Sequence, residues 1–215
     1  MHDKVENILV GTSGYIFPDW AKRFYPAGLA RKHWLRYYIQ YFRALELNTS
    51  FYAIPSRKSM ETMASQLPNN FNLHIKLPRT VTHENRTIDS TEMKTQLDKL
   101  QASVFPLQER GLIKGYLAQF PISFRPDNEN LELLRYILHI SPRPLFIEFR
   151  SEMWQSVETE KMLAANDAKW VIPDAPDLPQ LMSNNPVLLG DTGYIRLHGR
   201  NKSDWYARDR DRYNY

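Results

Sequence analysis

Short, almost wholly apolar runs alternate with longer amphipathic ones along the whole chain, and no other feature of the sequence restricts the fold so tightly. The strand-like runs are Ile8–Gly11, Ala44–Leu47, Leu73–Leu77, Leu112–Gln119, Leu145–Phe149, Trp170–Ile172 and Tyr194–Leu197. Runs this short and this apolar suit strands covered on both faces, as in a parallel sheet. Between them, Trp34, Tyr38, Tyr41 and Phe42 recur at helical spacing over 31–43 and leave Arg31, Lys32, Arg36 and Arg43 for the outside. Met93, Leu97, Leu100 and Val104 form a second stripe; Asp89 and Glu92 resemble a capping box at its start, and Gly111 suits its end. Leu131, Leu134 and Leu138 mark a third helix over 130–140, and shorter ones are expected over 56–67 and 156–165. Pro55, Pro78, Pro121 and Pro173 fall at the junctions.

Strands alternating with helices through short connections imply right-handed βαβ units around a parallel sheet. Seven such strands in 215 residues favour an α/β fold of the TIM (β/α)8 barrel type over an open sheet. There is no internal repeat, linker or low-complexity stretch, so one domain spanning 1–215 is expected.

Composition excludes several chemistries. With no cysteine there are no disulfides, thiolate nucleophiles or cysteine-ligated metals, which suits a reducing compartment. The opening MHDKVENILV lacks the apolar core of a secretory signal, and no apolar run approaches the ~20 residues of a membrane span, so a cytoplasmic location and no membrane partner are expected. The net charge of +4 is unevenly spread: residues 1–60 hold nine Lys or Arg against Asp3, Glu6, Asp19 and Glu46. That basic quarter, with Tyr and Trp interleaved, suits an anionic partner including nucleic acid; a solvated helix face is the plainer reading.

Polar residues recur at or just beyond the end of each apolar run. The first leads into Thr12, Ser13, Gly14 and Tyr15; the second contains Glu46 and ends in Asn48; the third carries Lys76, with His83 following. The fourth ends at Gln119, the fifth at Glu148 and Arg150, the sixth at Asp174, and the seventh supplies Arg196, His198 and Arg200. In a barrel, strand ends converge on one face, where sites are built. A Glu or Arg along a buried strand is costly unless paired, so these residues are expected to find one another. A purely structural ion-pair network would satisfy the same pattern, and Trp20 fits packing as well as a substrate platform. Glu46, His83, Glu148, Asp174 and His198 are metal-ligand types, but no tight HExxH-like spacing joins them, and Lys76, Arg150 and Arg196 would compete with a cation. No cofactor is expected; a divalent metal is the minority reading.

The same stretches carry a resemblance. Gly11-Thr12-Ser13-Gly14-Tyr15, Trp20, Phe24-Tyr25-Pro26, Glu46-Leu47-Asn48-Thr49-Ser50-Phe51-Tyr52, Ile75-Lys76, Thr82-His83, Gln119-Phe120-Pro121, Glu148-Phe149-Arg150, Trp154, Asp174 and Arg196-Leu197-His198-Gly199-Arg200 resemble, in order, the motifs of the YecE-like family, the domain of unknown function number 72. The resemblance spans essentially the whole chain. It implies a TIM barrel related to the xylose isomerase and endonuclease IV-like barrels, and it brings no settled activity. Members of that family continue into a further helix and an eighth strand with a Phe-Asn-Asn motif, whereas this sequence ends at Arg212-Tyr213-Asn214-Tyr215. The eighth βα unit is therefore expected to be missing or disordered.

Together these readings predict one polar site at the carboxyl ends of the strands, binding a phosphate-bearing small molecule or nucleic acid, with hydrolysis as the catalytic form of the same reading. Lys76, Arg150 and Arg196 would hold the anion, since Arg forks bind paired oxygens. Tyr15, Trp20, Asn48, Gln119 and Asp174 would complete the binding set. Glu46 or Glu148 would act as general base, and His198 or His83 as acid. The alternatives are a metal-dependent isomerase or lyase acting on a sugar-like substrate, and a nucleic-acid-binding module without catalysis.

Overall fold

The computed structural model describes residues 8–84, 90–182, 187–203 and 205. Its seven strands are β1 (Gly11–Thr12), β2 (Ala44–Leu47), β3 (Asn72–Lys76), β4 (Ile113–Gln119), β5 (Leu145–Glu148), β6 (Ala168–Asp174) and β7 (Tyr194–Leu197). They lie in chain order, and the pairs β1–β2, β2–β3, β4–β5, β5–β6 and β6–β7 are parallel. The α-helices are α1 (Trp34–Tyr38), α2 (Thr49–Tyr52), α3 (Arg57–Gln66), α4 (Ser90–Glu109), α5 (Asn128–Ile140) and α6 (Val157–Ala165). This is the α/β alternation of a TIM-type barrel, with seven strands among the described residues. The contacts divide the chain into two compact units: Met1–Lys76 with Lys99–Lys114, and Leu77–Asp98 with Gly115–Tyr215.

In the first unit, Leu45, Leu47, Leu73 and Ile75 fill the sheet, and Tyr25, Trp34 and Tyr38 seal it on the side of α1. The Tyr38 hydroxyl accepts from the Thr12 amide at 3.0 Å and donates to the Ala44 carbonyl at 2.9 Å, tying β1 to β2. Strand β1 begins at Gly11, three residues later than the apolar run Ile8–Gly11 suggests, and Ile8, Leu9 and Val10 are exposed. Gly11 explains where pairing starts: a Cβ there would lie 2.3 Å from the Ala44 carbonyl oxygen, so only glycine permits the approach. The helix expected over 31–43 is a 3-10 turn at Arg31–His33 followed by α1, whose last closing bonds run from Tyr41 and Phe42 to the Tyr38 carbonyl. Ser56 caps α3 by accepting from the Ser59 amide.

In the second unit, Leu117, Phe146 and Val171 form a core cluster with Tyr194 packed on it. β5 is buried at every position, whereas β7 alternates, with Ile195 and Leu197 exposed. Asp127 and Ser156 cap α5 and α6 through side-chain oxygens. β6 is longer than the run Trp170–Ile172 and takes in Pro173. The wide π-type turn Thr80–Glu84 had no sequence signal.

Helix α4 runs through both units, with Met93, Leu97, Leu100 and Val104 all buried, as their spacing predicts. It ends as expected at Gly111, whose φ of 63° suits glycine and lets the Leu112 amide reach back to the Leu107 carbonyl. Asp89 of the proposed capping box lies outside the described residues.

Candidate functional site

Among the described residues, strand ends of the second unit gather a cluster of ionic side chains around Glu148. Glu148, the last residue of β5, has no solvent exposure. Its Oε1 lies 2.6 Å from Arg150 Nε and 3.0 Å from His198 Nε2, and its Oε2 pairs with Arg196 Nη1. Arg150 Nη2 in turn lies 3.4 Å from His198 Nδ1. These contacts assign the tautomer by elimination. The carboxylate can only accept, so His198 donates from Nε2, and its Nδ1 is left to accept from the Arg150 guanidinium.

The electrostatics follow from the packing. Burial alone would raise the Glu148 carboxyl, but Arg150, Arg196 and the His198 hydrogen bond outweigh it and hold the group well below the usual carboxylate range. For His198, burial is the largest influence and lowers its proton affinity; contact with Glu148 opposes this, and the two guanidiniums reinforce it. Glu148 is therefore ionised and His198 neutral near pH 7. Exposure is asymmetric: the side chains of Arg150 and Arg196 retain 21% and 10%, so the cations reach solvent where the carboxylate does not.

Beside this group, Asp174 at the end of β6 holds Arg200 through two contacts from Nε, at 3.0 and 3.1 Å, and one from Nη2 at 2.7 Å. The backbone amide of His198 donates to the Asp174 carbonyl at 2.8 Å, which fixes the segment leaving β7. Gln119 stands opposite Glu148 in the β4–β5 register and donates to the Phe120 carbonyl at 2.8 Å. His83 sits in the π-type turn, its Nδ1 2.8 Å from Thr82 Oγ1. The structure thus brings Glu148, Arg150, Arg196 and His198 into one group, with the paired Asp174 and Arg200 joined to it through the backbone.

The remaining predicted residues lie in the first unit. Glu46 is buried and faces His74 in the β2–β3 register. His74, which the sequence reading passed over, has its proton affinity lowered by burial to a pKa of about 4, with Glu46 pulling the other way. Only the β2–β3 register, which sequence alone does not supply, would have singled it out. Lys76 is buried with its ammonium 4.1 Å from the centre of the Phe51 ring, and its carbonyl accepts from Ser50 Oγ at 2.6 Å. Asn48 donates to the Ser13 carbonyl at 3.2 Å, while its Oδ1 is buried with no hydrogen-bond partner among the described residues. The Tyr15 carbonyl accepts from the Tyr25 hydroxyl at 2.6 Å. Trp20 packs between Phe17 and Phe24, with ring centres 4.9 and 5.3 Å away. Among the described residues, no three His, Asp or Glu side chains gather to hold a metal ion, and no helix is long and apolar enough to cross a membrane.

Parallel strands in chain order, with ionic side chains at their carboxyl ends, define a TIM-barrel-type protein whose polar chemistry sits where that fold builds its sites. Over residues 9–215 the sequence matches the model described as "Protein of unknown function DUF72". The chain belongs to the DUF72 family. It is 29% identical over 210 residues to the UPF0759 protein YunF of Bacillus subtilis (strain 168), covering 94% of this chain and 73% of that one. A DUF72 family protein of Thermotoga maritima MSB8, known from its crystal structure, superposes with a TM-score of 0.85 at 34% identity, covering 96% of this chain and 80% of that one. A DUF72 family protein of Enterococcus faecalis V583 shares the fold, with a TM-score of 0.79 at 23% identity over 94% of this chain and 74% of that one.

Proposed function

We propose that the protein binds a phosphate-bearing ligand at the carboxyl ends of β5 and β7, with Arg150 and Arg196 as its anion-holding groups. One observation carries this reading: a wholly buried carboxylate anchors two guanidiniums that themselves keep contact with solvent. An anchored guanidinium loses little further freedom on binding, and its forked N–H groups match a phosphate's paired oxygens. Gln119 and Asp174 border the group, and Asp174 positions Arg200 and the His198 backbone.

Binding is better supported than turnover. A general base must have proton affinity near the working pH, and the cations around Glu148 take it far below that. His198 directs its only ring proton at Glu148 and its lone pair at Arg150. Both therefore act as positioning groups for the two arginines. The metal-dependent reading is weaker for a related reason: both oxygens of the carboxylate that would ligate the ion already face guanidiniums, which repel a cation.

Calorimetric titration with inorganic phosphate and with a nucleoside monophosphate tests this. Wild-type protein should bind one of them with a millimolar or tighter constant. Arg196→Lys keeps the charge beside Glu148 but removes the fork, and should weaken binding by roughly tenfold. Absence of wild-type binding at low salt, or equal binding by a stably folded Arg196→Lys protein, would refute the assignment.

A further inference from the structure

A cation-rich stretch lies in the first unit, and what it implies does not depend on the strand-end reading. Between Asp19 and Glu46 the sequence contains no acidic residue but holds Lys22, Arg23, Arg31, Lys32, Arg36 and Arg43. All six are exposed, and none forms an ion pair with a described residue. A stretch of exposed cations with no intervening acid carries a positive local potential that favours an anionic partner.

Their placement is ordered. Lys32 and Arg36 stand one helical turn apart and are exposed, whereas Trp34, Leu35 and Tyr38 of the same 31–42 helical segment are buried; Arg43 follows its last closing bond. Next to this cationic row runs an aromatic one. Tyr37 and Tyr41 are also one turn apart, with ring centres at 5.1 Å and hydroxyls at 3.1 Å, and Tyr41 is 60% exposed. Phe24 packs against both, 5.4 Å from each ring centre, and the exposed Lys22 and Arg23 directly precede it in the chain. The result is a partly exposed tyrosine pair within a stretch whose basic side chains are all exposed.

We infer that this face binds single-stranded nucleic acid, the cations tracking phosphates and the Tyr41 ring stacking on a base. Charge complementarity selects a polyanion, and the exposed ring selects one with flat unstacked bases, since base–aromatic stacking tolerates any sequence. An anionic membrane fits less well. A surface-bound helix must insert an apolar face, and here Trp34, Leu35 and Tyr38 are already committed to the core.

Fluorescence anisotropy with a labelled single-stranded oligonucleotide, read across a series of salt concentrations, tests the inference. Binding should weaken steeply with salt, with a slope of up to about −4 in log K against log salt if all six cations meet phosphates. The triple variant Lys32→Ala, Arg36→Ala, Arg43→Ala should lose affinity at least tenfold, with a slope shallower by about 2. Tyr41→Ala, at an exposed position, should weaken binding roughly fivefold or more while leaving the salt slope unchanged. Unaltered affinity in a folded triple variant overturns the inference. So does an equal or tighter interaction with phosphatidylserine vesicles than with the oligonucleotide, or no binding by wild type at low salt.

Discussion

Two groups of ionisable residues among the described ones, one in each unit, meet the cost of burying charge in different ways. In the second unit, Glu148 is neutralised by direct pairing with Arg150 and Arg196 and by the His198 imidazole. In the first, Lys76 lies against the face of Phe51, and His74 avoids charge altogether by giving up its proton. Pairing keeps a charge in place but makes each partner depend on the other, whereas a lowered proton affinity removes the need to bury a charge at all.

The largest expected effect follows from that dependence. Glu148→Gln removes the anion and strands two guanidiniums in a site built around it, so urea unfolding should show a loss of about 3–5 kcal/mol. A loss below about 1 kcal/mol would mean that solvent compensates the arginines and that pairing is not what holds the group together.

The pH response should separate the two groups next. The folded-state pKa of Glu148 is depressed, so its contribution is full above the unfolded value of about 4.3 and fades only as pH falls below it. His74 acts in a higher window. The unfolded chain takes up a proton near pH 6.5 whereas the folded chain refuses it until about pH 4, so stability declines as pH drops through that interval. His198 contributes in the same direction. Urea midpoints measured from pH 7 to 4 should therefore fall less steeply in His74→Gln than in wild type. Parallel curves would show that His74 is protonated in the folded protein.

The smallest effect concerns the ring. A double-mutant cycle of Phe51→Leu and Lys76→Met should return a coupling of about 1 kcal/mol, the usual size for a partly desolvated cation–ring pair. A coupling near zero would mean that packing alone accounts for the contact.

Much of this architecture was legible in the sequence because the strands are covered on both faces. An apolar run such as Leu145-Phe146-Ile147 has few other readings. The ends Glu148-Phe149-Arg150 and Arg196-Leu197-His198 announced themselves by placing ions beside buried strands, and the structure brings those ions together. Ile8–Val10 misled because an apolar tripeptide carries no sign that it lies outside the sheet. Helix α2 escaped because four residues give no period to read. The Glu46–His74 apposition escaped for a different reason: it depends on strand register, a long-range property that no local window contains.

The contact at Gly11 also bears on how this chain tolerates change. Since even a methyl group there would meet the Ala44 carbonyl oxygen, a saturation library at that codon should return the parental residue almost alone. Gly28, with nothing within 4 Å of an added carbon, is limited only by its positive φ of 81° and should admit asparagine or aspartate. One glycine is irreplaceable for want of room, the other merely preferred for its backbone angle, and sequencing the survivors would tell them apart.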